Sequence, residues 1–157
     1  MNVRLLAIAA SALAVSGWAT PTHPVRPAPP VTYVAHMTGA SETPATTVTG
    51  TGTATLVLEG TRLRYTLTVA GLSGPATMAH IHVGKVGASG PPVYSFEIKH
   101  EARGTLARGY IDLAKDVSKG VSGDSLKTLL ANGDAYVNVH TAAHPGGEIR
   151  GQVEVKK

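Results

Sequence analysis

From Val31 onward, apolar and polar positions alternate with period two in short runs, the pattern of strands that bury one face and turn the other outward. The runs are 31–38, 52–59, 62–70, 78–83, 92–98, 104–113, 134–141 and 147–155. They are rich in Val, Thr, Ile, Leu and Tyr, and Gly, Pro, Asn and Asp separate them, residues that supply turn conformations. Glu59-Gly60-Thr61, between two long alternating runs, predicts a tight hairpin. One interval changes period: Leu126, Leu129 and Leu130 share a helical stripe, with Asp124 as the cap and Gly133 as the stop. The pattern predicts an all-β fold, a Greek-key antiparallel β-sandwich or flattened barrel of about eight strands with one short helix.

The first 30 residues follow a different logic. Arg4 precedes an apolar stretch from Leu5 to Val15, and Gly17-Trp18-Ala19 has the small-x-small form of a cleavage site. Residues 1–19 therefore read as a secretory signal peptide cut after Ala19. The stretch is about eleven residues, against roughly 20 for a membrane-spanning helix, so no stable membrane insertion is expected. Residues 20–30 hold five of the 10 prolines and read as an extended spacer, in which His23 is solvated. Residues 31–157 remain as one domain, expected in a periplasm or outside the cell.

Composition narrows the chemistry. Among 157 residues there is no Cys, which excludes disulfides, thiolate zinc sites, iron–sulfur clusters and a cysteine nucleophile. The formal charge of +4 owes two cations to Arg4 and Arg26; the remaining 12 Lys and Arg face 10 Asp and Glu without clustering, so no nucleic-acid partner is expected. Serines lie in Gly-rich loops and carboxylates are scattered, with no constellation for hydrolysis.

Histidines carry the remaining chemistry. In 78–83, Ala79, Ile81 and Val83 share one face, and Met78, His80 and His82 share the other. In 134–141, Ala135, Val137 and Val139 form the apolar face, with Tyr136, Asn138 and His140 opposite. If the two strands meet, His80, His82 and His140 converge on the outside of a sheet, shielded by the loops 84–92, 39–47 and 142–147. Three neutral imidazoles suit copper or zinc, and the missing thiolate disfavours a blue-copper centre. Proton competition for such a site is expected near pH 6. His144, in a loop before Pro145, is a fourth ligand, a gate or an exposed residue; His36 and His100 read as sheet-surface residues. Glu148 and Arg150 share a face and can pair, or Glu148 can orient an imidazole through its second nitrogen. The alternative is a metal-free structural or protein-interaction module in which these residues form a surface polar network.

The segments MAHIHVGKVGASGPP (78–92) and ANGDAYVNVHTAAHPGGEIRGQ (131–152) resemble the CHRD domain, named from chordin and widespread in secreted bacterial proteins. The resemblance covers about residues 31–155, and YVNVHT followed by P-x-GEIRGQ is its most specific block. HMTGASETPA is similar to the family's L-x-G-x-x-E-V-P-P opening, with Glu42 in register, Thr43 in place of Val and Ala45 in place of the second Pro. The resemblance implies architecture more than activity. A weaker one links the His-x-His and Val-x-Val-His strands to the copper half of Cu,Zn superoxide dismutase, a Greek-key sandwich. It implies copper at His80, His82 and His140, but the zinc-loop residues and the disulfide of that family are missing. The resulting expectation is a copper-binding protein for buffering, delivery or oxidative protection, with Glu42, His144 or Glu148 near the metal and no identified protein partner. Catalysis is not the favoured expectation; it would be that of a copper-dependent oxidoreductase of superoxide dismutase type.

Overall fold

The alternating runs become strands close to the positions predicted. In the computed structural model, which describes residues 28–118 and 120–157, β1 (Val31–Thr38), β2 (Thr51–Glu59) and β3 (Arg62–Ala70) form an antiparallel meander. The turn at Gly60-Thr61 joins β2 to β3, with Gly60 at φ 59°, a left-handed conformation that glycine adopts without strain. Then come β4 (Ala76–Val83), β5 (Pro92–Ser95), β6 (Gly104–Asp112), β7 (Asp116–Ser118), β8 (Val121–Ser122), α1 (Gly123–Asn132), β9 (Ala135–Thr141), β10 (Ile149–Gln152) and β11 (Glu154–Val155). The expected signal peptide with Trp18, and the spacer as far as Pro27 with His23, lie outside the described residues.

Three local expectations change. The run 92–98 leaves the ladder after Ser95, and the run 147–155 begins pairing only at Ile149 and breaks at Val153. There the Val153 N–H turns to the Ala135 carbonyl while its side chain enters the core. The short β7–β8 hairpin was not predicted; a three-residue strand carries too little alternation to be read. Ser122, not Asp124, caps α1: its backbone is extended (φ −73°, ψ 160°) and its hydroxyl accepts from the Ser125 N–H at 3.1 Å. Asp124 sits within the first turn and pairs with Lys127 at 2.9 Å. Gly133 ends the helix in the left-handed conformation, as expected.

The main sheet runs β5-β4-β9-β10-β1-β2-β3-β6, so the late strand β10 returns to lie beside the first strand of the meander. Strands β5 and β6, adjacent in sequence, occupy opposite edges, and the sheet curls until those edges approach. Tyr94 and Phe96, at and beyond the end of β5, pack edge-on against Tyr65 of β3 at centroid distances of 5.9 and 4.9 Å. The Lys99 N–H bonds the Leu106 carbonyl of β6 at 2.7 Å. The result is the expected all-β flattened barrel. Leu56, Leu67, Ile81, Val137, Val139 and Ile149 fill it, with Leu126 and Leu130 of α1, all at most 1% exposed. Burying each such side chain stabilises the fold by about 1.5–3 kcal/mol.

Candidate metal centre

The topology sets β4 directly beside β9, although about 60 residues separate them. Antiparallel pairing places Met78 opposite His140, His80 opposite Asn138 and His82 opposite Tyr136. Because Ala79, Ile81, Val137 and Val139 are committed to the core, the alternate residues of both strands point together to the other side of the sheet. His140 lies diagonally across from His80, with ring centroids 5.0 Å apart, and His80 and His82 are 5.4 Å apart. One nitrogen from each of His80, His82 and His140 lies within 4.8 Å of the others. Among the described residues this is the one group of three or more His, Cys, Asp or Glu gathered within reach of a single ion.

Hydrogen bonds assign the nitrogens. His140 Nδ1 donates to the Pro145 carbonyl at 2.9 Å, which leaves Nε2 as the lone-pair nitrogen. His82 Nδ1 donates to the Gly90 carbonyl at 2.8 Å, and its Nε2 is buried with no hydrogen-bond partner. His80 Nδ1 lies 3.1 Å from His140 Nε2, so the proton between them sits on His80. Asn138 Oδ1 also lies 3.1 Å from His140 Nε2, an acceptor facing the ring's lone pair, so only the turned amide, presenting its NH2, would bond there. The nitrogens that face one another are therefore His80 Nδ1, His82 Nε2 and His140 Nε2.

The outward face of β9 is not exposed. All seven of its residues are buried, with Asn138 and His140 at 3% and 6% exposure, because the predicted shielding loops fold over it. Gly90 and Pro145 come from two of those loops, and the third brings Thr43 to the Arg150 guanidinium. Arg150 donates to the Ala88 carbonyl at 2.6 Å and lies 3.4 Å from the centroid of the Tyr136 ring, which stacks on His82 at 4.8 Å and 10°. Burial lowers the pKa of all three imidazoles by penalising the cation. For His80 the value falls to about 4, with His140 and His82 adding repulsion. In His82 the Gly90 hydrogen bond opposes burial without cancelling it, and the Pro145 bond does so in His140. Proton competition is thereby moved below the expected pH 6.

The other candidates fall around this cluster rather than in it. Glu42 has a buried Oε1 without a partner, packed against Gly147, and burial raises its pKa against the opposing pull of Arg150 and the Thr43 N–H. Glu148 does not orient an imidazole. Its carboxylate accepts from the Ser73 N–H at 2.7 Å and from the Ser73 and Thr141 hydroxyls at 2.5 Å, tying the loop after β3 to the start of β10. Burial alone would raise its pKa, but these bonds more than offset it and hold the carboxyl below its usual value. Glu148 and Arg150 form no ion pair, since each is committed to a different loop. His144 stands by Glu148, in the turn where its carbonyl accepts from the Gly147 N–H. His36 and His100 are exposed, as expected. Arg150, Tyr136 and the Gly90 carbonyl were not foreseen as parts of the site; Tyr136 shares the alternation of His140 and was legible by period, whereas Gly90 has no side chain to mark it.

Comparison with known protein families matches residues 33–153 to the CHRD domain. No curated protein gives a significant match to the sequence.

Proposed function

The chain belongs to the CHRD domain family, and on that premise we propose that it is a secreted or periplasmic protein that binds a transition metal, copper, through His80, His82 and His140. One observation carries the reading: His82 Nε2 is buried and unpartnered, aimed at the same space as His80 Nδ1 and His140 Nε2. A buried acceptor without a donor costs about 1–3 kcal/mol, and a cation at that point would offset the cost. The Gly90 and Pro145 carbonyls already hold two rings in the tautomer a metal requires, a support typical of ligating histidines. The lowered pKa values keep the rings neutral at physiological pH, so little proton release opposes binding. Three imidazoles bind copper(II) more tightly than zinc in the general order of divalent affinities. Copper buffering, delivery or protection against oxygen radicals fits a domain exported by the leader in residues 1–19.

Metal analysis of untagged protein, then copper(II) titration followed by electron paramagnetic resonance, tests this. The expected spectrum is axial with nitrogen coupling, at one copper per chain, and is lost in His80→Ala and His140→Ala. Unchanged stoichiometry in both variants would sink the proposal and favour the metal-free polar network, whose His80–His140 hydrogen bond is already in place.

A further inference from the structure

The donor set of His80, His82 and His140 contains neutral nitrogens and no carboxylate, and this discriminates between the two oxidation states of copper. Copper(II) prefers a square or tetragonal set, which a trio of donors leaves incomplete. It also brings twice the charge of copper(I) into a place enclosed by core and loops, and the cost of removing an ion from water grows steeply with its charge. Arg150 adds a fixed positive charge to that balance. The residue is 3% exposed, and among the described residues no carboxylate oxygen lies within 4.0 Å of its guanidinium. Its partners are neutral: the Ala88 carbonyl at 2.6 Å and the face of Tyr136, the ring that stacks on His82. Glu42 feels the same charge from outside ion-pair range, and burial favours its neutral form. The guanidinium therefore stands uncompensated against a ring that touches a ligand, where it opposes a positive charge on the His82 imidazole. Burial leaves that charge little screened by salt.

We propose that Arg150, acting across Tyr136, tunes the three-imidazole centre toward copper(I), so that the ion of lower charge is the form the protein holds more tightly. The inference rests on the copper reading above and adds the oxidation state that the site selects. Arg150 touches no ligand nitrogen; it acts on the ion through its charge. A variant that keeps the charge must therefore keep the selectivity, and one that removes or neutralises the charge must lose part of it.

The test measures two dissociation constants on the untagged protein, that of copper(I) by anaerobic competition with bicinchoninate and that of copper(II) by competition with glycine. Thermal melts check that each variant is folded. In the wild type copper(I) should bind the more tightly. The ratio of copper(I) to copper(II) affinity should fall about tenfold in Arg150→Gln, equivalent to about 59 mV in the potential of the bound one-electron couple. Arg150→Lys keeps the charge and loses the planar fork, so both affinities should fall together and the ratio should hold. Val86 is 78% exposed and lines the same surface pocket as Arg150, so Val86→Glu sets a carboxylate beside the guanidinium without removing any of its contacts. It should lower the ratio as well, and it decides the matter if Arg150→Gln does not fold. A ratio unchanged in Arg150→Gln and Val86→Glu, an equal fall in Arg150→Lys, or a wild type that holds copper(II) more tightly would overturn the tuning while leaving the copper site standing. Wild-type protein that binds neither ion would overturn the tuning and the copper reading together.

Discussion

At the scale of single residues, the site depends on which nitrogen of each ring is free and on whether the ring stays neutral. His80 titrates near 4 in the fold and near 6.5 when unfolded. Between those values the unfolded chain binds more protons than the native one, so stability rises with pH across that window. Acidifying the metal-free protein from pH 6.5 to 4 should therefore lower its Tm, and His80→Gln should flatten that part of the curve. The difference between the two pH–Tm profiles reports His80 together with its repulsion of His82 and His140, because Glu148, with its lowered pKa, loses stabilisation on acidification in both proteins. Gly90 sets the tautomer of His82 from the backbone. A Cβ there would overlap the Val83 carbonyl, so Gly90→Ala must shift the peptide whose oxygen holds His82 Nδ1. Copper affinity should fall about 10–100-fold in chelator competition, as for the loss of a support to a ligating ring. An unchanged affinity would mean that the Gly90 carbonyl does not orient the ring.

At the scale of elements, β9, like most of the adjacent β10, is buried on both faces, one by the core and one by loops. Its polar residues are satisfied by the turns above them: His140 by Pro145, Thr141 by Glu148. Removing the loops would leave Asn138 and His140 facing water, the environment that their alternation alone suggested. The helix shows a smaller displacement between pattern and structure. Asp124 and Ser122 are both good capping residues, and the extended backbone at Ser122 decides between them. Ser122→Ala should cost about 0.5–2 kcal/mol in urea denaturation. Asp124→Ala, which removes only an exposed pair with Lys127, should cost less.

At the scale of the whole molecule, the fold closes where Phe96 and Tyr94 from one edge meet Tyr65 near the other. Phe96→Ala should destabilise the domain by about 3–5 kcal/mol in equilibrium unfolding, since it opens a cavity at the seam that holds the sheet curled. A cost under about 1 kcal/mol would mean that the edges are held by backbone pairing alone. The alternation of Ala79, Ile81, Val137 and Val139 was enough to assign strands and to put His80, His82 and His140 on their non-core faces, because a strand's side-chain direction follows its local period. The missing thiol, and with it the choice of nitrogen donors, was likewise a matter of composition. The adjacency of β4 and β9 was not local: it follows from a sheet order in which the chain crosses from β3 to β4 and returns through β9 and β10. Only that order brings His140 diagonally opposite His80, and only loop packing turns an outward face into an enclosed one. That packing also carries Glu148 to Ser73 instead of to an imidazole, sets Arg150 over Tyr136, and leaves His82 Nε2 without a partner, since each contact joins segments whose separation in sequence encodes nothing about their distance in space.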